Sequence, residues 1–127
     1  MPIKQVLEEN GRILRVTFTD PWSVEEMLKE FETAQHYLDK ATQPIHVLVD
    51  MTEATRATPG ALRARESPAL RHPMGGQVAV FGMNSLGRTL AETVFRLVRF
   101  RRARFFDSEA EALAHLRGLI AAGQVEA

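Results

Sequence analysis

The chain contains no cysteine, which excludes a disulfide framework, a thiolate metal site and a cysteine nucleophile. Nor does it hold an apolar run approaching the roughly 18 residues of a membrane span. Met1-Pro2-Ile3-Lys4-Gln5 turns polar too early for a signal-peptide core, so a cytoplasmic location is expected. Catalytic signatures are missing as well. No Walker or dinucleotide-type glycine loop follows a strand, and Phe81-Gly82-Met83-Asn84-Ser85-Leu86-Gly87 has glycines but no P-loop lysine. The nucleophile elbow G-x-S-x-G is absent. No two of the four histidines, His36, His46, His72 and His115, stand at the i,i+3 or i,i+4 spacing of a zinc pair. No cofactor and no metal are expected.

Net charge is also lacking: 16 basic residues balance 16 acidic ones. The balance is made of opposed parts. Residues 56 to 105 hold ten arginines (Arg56, Arg63, Arg65, Arg71, Arg88, Arg96, Arg99, Arg101, Arg102 and Arg104) against Glu66 and Glu92, a surplus of +8 that the flanks cancel. Such asymmetry suggests an anionic partner for the middle, or an internal match in which acidic first and last helices lie beside basic ones.

What is present is enough for one core: 127 residues, 45% of them hydrophobic, predict a single domain over residues 1–122 with a frayed tail at 123–127. The organising stretch is Ile45 to Thr52. Its Val47-Leu48-Val49 run lacks polar alternation, as a parallel strand covered on both faces does. Around it, Asn10-Gly11 between Ile3–Glu8 and Ile13–Thr19 is a hairpin signal. Ser23 with Glu26 is a capping box, with Trp22 and Met27 as a hydrophobic staple, opening a helix whose polar face is acidic. Thr58 as N-cap and Pro59 at the first helical position start a short helix that Pro68 interrupts, and Pro73 with Gly75-Gly76 predicts a loop. Gln77 to Met83 reads as a second buried strand.

Asn84-Ser85 caps the next helix, in which Leu86, Leu90, Val94, Leu97 and Val98 form an apolar stripe opposite Arg88, Glu92, Arg96 and Arg99. Phe95 and Ala91 widen that stripe, which predicts deep burial over a dimer contact. Arg104-Phe105-Phe106 is a short strand, and Ser108 with Glu111 caps the last helix. The order ββαβαβαβα predicts an α/β fold: an N-terminal β-hairpin, then alternating strands and helices, in a mixed sheet of about five strands with about four helices. Open α/β sheets bind ligands beyond the carboxyl ends of their strands, which directs attention to Asp50 and the corner after it. Asp50 is the carboxylate best placed for chemistry, or a tie for the loop that follows.

With that element order, the Asn10-Gly11 hairpin, the Ile45–Asp50 strand leading into a threonine-rich corner, the Gln77–Gly82 strand and Arg104-Phe105-Phe106-Asp107 before an Ala/Leu/Glu helix, the chain resembles the small bacterial SpoIIAA-like (STAS-like, STAS/Sec14-like) proteins. The resemblance implies a single STAS-like domain without enzyme activity, a switch or docking module in bacterial signalling. It also implies a phosphorylatable hydroxyl at the corner after the central strand. The matching stretch is Ala57-Thr58-Pro59-Gly60, where Ala57 replaces the acidic residue and Pro59 intrudes, so Thr58 is the candidate phosphosite.

Two functional expectations follow. The first is a non-enzymatic regulatory and protein-interaction module, homodimeric, docking through the Thr52–Arg65 corner and the basic helix. The second is a carrier of a small anionic molecule or lipid, with Leu62, Leu70, Met74, Phe81, Met83, Phe95 and Phe100 lining an apolar pocket and Arg63, Arg88 or Arg96 holding the head group. Thr55, Thr58, Arg63, Arg65, His72, Arg88 and Arg96 are the candidate binding residues for an anion or partner, with His72 as helper. An enzyme using Asp50, His72 and the arginines is the weakest reading, and nucleic acid is disfavoured because the arginines lack interleaved aromatics.

Overall fold

The computed structural model describes residues 2–54, 63, 67–97 and 99–126. Glu9, Asn10 and Gly11 all take positive φ, and the turn they make joins β1 (Ile3–Glu8) to β2 (Ile13–Thr19) as the hairpin signal predicts. Ser23 then starts α1 (Val24–Lys40): its Oγ accepts the Glu26 amide at 3.1 Å and donates to the Glu26 carboxylate at 3.0 Å. The chain continues through β3 (Ile45–Glu53), one turn of 3-10 helix (Pro68–Arg71), β4 (Gly75–Phe81), α2 (Ser85–Leu97), β5 (Ala103–Phe106) and α3 (Glu109–Glu126). A single five-stranded sheet runs in the order β1-β2-β3-β4-β5. The β1–β2 pair is antiparallel and the other three pairs are parallel.

β3 is therefore the centre of the sheet, and its side chains divide between two layers. Ile45, Val47, Val49 and Met51 join Leu14, Val16 and Phe18 of β2 and Val24, Met27 and Leu38 of α1 in one apolar cluster. Leu48 points the other way, meeting Ile13, Ala79, Phe81, Ala112 and Leu116. α3 closes that second face, tied down by Arg15 of β2, which bridges Glu8 and Glu109. A mixed sheet with a parallel centre and helices on both faces is the predicted class.

Three details differ from the expectation. Among the described residues there are three α-helices, not about four: the helix expected from Thr58 begins outside them, and the stretch between Pro68 and Pro73 makes only the 3-10 turn. Gly75 and Gly76, expected in a loop, begin β4, where a Cβ on Gly76 would collide with the imidazole of His46. The strand ends at Phe81 rather than Met83 because Gly82 turns at φ +86, and a Cβ there would stand 2.7 Å from the Thr52 amide nitrogen. At the C-terminus, α3 extends through Glu126.

His46 is a buried sheet residue. Its Nδ1 accepts the Gln77 amide at 2.9 Å, so the neutral ring carries its proton on Nε2. Burial, then the nearby charges of Arg12 and His115, hold its pKa below the usual 6.5. The unfolded chain thus takes up this proton more readily than the native one, and stability falls as pH drops through about 6.5. Urea unfolding between pH 7.5 and 5 should show that loss, and a His46→Asn variant should show a flatter profile. Truncation of fully buried Leu48 to Ala should cost about 2–5 kcal/mol in the same assay.

Candidate functional site

Of the predicted binding residues the structure describes Arg63, His72, Arg88 and Arg96, and the first two lie against opposite ends of α1. Thr55, Thr58, Arg65 and Leu62 lie outside the described residues, and with them most of the Thr52–Arg65 corner. Arg63 reaches Glu25 of α1 at 3.3 Å. His72 is held between two partners: its Nδ1 accepts the Met74 amide at 3.1 Å, leaving Nε2 to donate to Asp39 of α1 at 2.8 Å. That arrangement ties the 3-10 turn to α1. Asp50 accepts the Thr52 amide at 2.9 Å, so the carboxylate at the end of β3 fastens its own loop. Among the described residues no three His, Asp or Glu side chains are grouped as a metal site.

The remaining two, Arg88 and Arg96, are on α2, and here the structure departs most from the sequence. Asn84 caps the helix, its Oδ1 accepting the Gly87 amide at 2.7 Å. The helix is amphipathic as expected, but its leucine stripe does not face the sheet. Leu86, Leu90 and Leu97 are 72%, 46% and 66% exposed, and no described residue of α2 is buried. At about 100° per residue the three fall within about 40° of one another, and Phe95 lies on nearly the opposite side. It is Phe95 that meets the body of the protein, 6.1 Å between ring centroids from Phe105 of β5, while Arg88 lies over the Phe105 ring at 5.6 Å and pairs with Glu92 at 3.0 Å. Deep burial, expected for this helix, is thus corrected: α2 rests on the face opposite α3 through an aromatic foot, and its leucines point to solvent.

The arginines sort by the same geometry. Arg102 is engaged by backbone carbonyls, donating to those of Gly75 at 2.6 Å and His72 at 3.2 Å. Arg96, Arg99, Arg101 and Arg104 are exposed and have no acidic partner among the described residues. The internal charge match therefore covers part of the basic surplus and leaves Arg96, Arg99 and Arg101 together around the end of α2, while Arg104, alternating with Phe105 on β5, belongs to the α3 side of the sheet. Arg96, Arg99 and Arg101 also line, with Glu92, an open groove of about 440 Å³ that includes Phe95, Phe100, Ala103 and Phe105. Of the lipid-pocket residues named from sequence, Phe95 and Phe100 line it. Arg99 and Arg101 went unnamed as site residues.

Helix α2 ends with a six-to-one bond from the Phe100 amide to Phe95 O at 2.8 Å and a bond from the Arg99 amide to Arg96 O at 3.1 Å. Phe100 and Phe95 rings meet at 5.4 Å, completing a Schellman-type close. The residue at its left-handed position is Arg99, at φ +60, where glycine is favoured and an L side chain costs about 1–2 kcal/mol. A helix end that accepts this strain displays a guanidinium in exchange. An Arg99→Gly variant should be more stable than the wild type by about 1 kcal/mol in urea unfolding, so a loss of binding in that variant would not come from unfolding. A scan of known protein-family models and a search of curated proteins gave no match to this chain.

Proposed function

We propose that the protein is a non-enzymatic docking module of the regulatory, STAS-like kind, and that its contact surface is α2 with the arginine turn that follows it. The observation that carries this reading is the pairing of an uncovered leucine ridge with Arg96, Arg99 and Arg101, none of which has an acidic partner among the described residues. A core helix turns its leucines inward, whereas an interaction helix presents apolar anchors with charge beside them. Exposed arginines add long-range attraction, screened over about 8 Å at physiological salt. The partner surface is accordingly anionic with an apolar strip.

The aromatic groove favours a second use. Its three phenylalanine rings and three arginines, beside a Glu92 carboxylate that Arg88 engages, suit a small anion with an apolar body, at the lower end of the 300–1,000 Å³ typical of ligand sites. The reading as a carrier of such a molecule rests on that groove.

The whole chain is electrically neutral, so retention on a polyanion requires a local patch. The protein should be held by immobilised poly-glutamate at low ionic strength and released as salt rises. The triple variant Arg96→Gln, Arg99→Gln, Arg101→Gln should elute earlier with an unchanged melting temperature. Equal retention of the variant and the wild type would contradict the docking surface.

A further inference from the structure

We infer that the docking partner is the surface of an anionic lipid bilayer, with α2 lying in the plane of the interface. The inference rests on the docking reading and names its partner. Leu86, Leu90 and Leu97 make a strip about 16 Å long at 1.5 Å per residue. The outward threonines beside it keep their hydroxyls inside the helix: Thr89 Oγ1 donates to Ser85 O at 3.0 Å and Thr93 Oγ1 to Thr89 O at 2.9 Å. What the outer face presents is therefore methyl and isobutyl groups. Arg96 flanks this strip, and Arg99 and Arg101 follow directly beyond its end, while the helix's one acid, Glu92, is held by Arg88. An apolar ridge bordered by cations is the pattern of an interfacial helix: leucines enter the acyl boundary and arginine stems let guanidinium groups reach the head groups. No helix of the described residues is long and apolar enough to cross a membrane, so the contact is peripheral.

Charge decides among the other occupants. Pairing α2 with α2 of a second copy would bring two basic surfaces together, each with six arginines and one glutamate over residues 85–104, which like-charge repulsion opposes. Pairing α2 with the acidic α1 of a second copy is compatible with a two-fold dimer, and a dimeric mass in analytical ultracentrifugation that reverts to monomer in the Leu86→Ser/Leu97→Ser variant would overturn the inference. A nucleic acid offers nothing to the leucines. An acidic protein would need both its acids and an apolar groove shaped to a convex ridge, whereas an acyl layer adapts to it. Docking also requires no core to open, because α2 buries no side chain among its described residues.

The test uses the full chain with vesicles of phosphatidylcholine alone and of phosphatidylcholine mixed with phosphatidylglycerol. The mixed vesicles should sediment the protein and the neutral ones should not. The Arg99→Gln/Arg101→Gln variant should bind less tightly by about fivefold per arginine, and Leu86→Ser/Leu97→Ser by tenfold or more. Both pairs are exposed, so the fold should be unaffected. In this cysteine-free chain, Leu86→Cys carrying an environment-sensitive dye should blue-shift on the mixed vesicles. Retention on poly-glutamate without vesicle binding would overturn the bilayer and point to an acidic protein, leaving the docking surface intact. Failure on both supports would remove the docking surface too. Equal binding to the two vesicle types, or full binding by the leucine variant, would also overturn the inference.

Discussion

A parallel strand covered on both faces must pair its backbone with neighbours on either side and give its side chains to two separate layers. β3 meets all four demands at once. β2 and β4 take its amides and carbonyls, α1 covers Ile45, Val47 and Val49, and α3 covers Leu48. Because each layer contributes to the burial of one strand, neither can be removed without exposing apolar surface, and the sheet centre becomes the rigid reference against which other parts can be placed.

The side chains at the end of β3 belong to that construction. Asp50 ties its own loop, Gly82 lets the ends of β3 and β4 approach, and His72 joins the 3-10 turn to Asp39 of α1. Their polar capacity is largely engaged in holding chain segments together. At α2 the opposite holds: the helix rests on Phe105 through the ring of Phe95 and the guanidinium of Arg88, with its leucines and Arg96, Arg99 and Arg101 uncovered. Stability is concentrated in one half of the molecule, and unsatisfied surface in the other. The proposed docking function follows from this division.

Much of the architecture was legible because its signals are local. Asn10-Gly11, the Ser23–Glu26 cap, the Ser108–Glu111 cap and the unbroken Ile45–Val49 run each constrain only a few residues, and each appears as expected. The orientation of α2 was not legible. Periodicity reports that an apolar stripe exists, but in this helix Phe95 and Ala91 extend it around nearly half the circumference, and either edge could face inward. Aromatic contact with Phe105, a residue of the next strand, settles it. Likewise Gly75-Gly76 reads as a loop until the imidazole of His46 is placed above it. The Arg99 close had no sequence signal, since glycine, its usual marker, is missing there.

Amide hydrogen exchange on the free protein measures the contrast most directly, because protection tracks how much structure must open around each amide. Amides of β3 and β4 should be the slowest in the molecule, and those of α2 should exchange orders of magnitude faster. Protection of α2 equal to that of β3 would mean that its leucines are covered in solution, and would contradict the account.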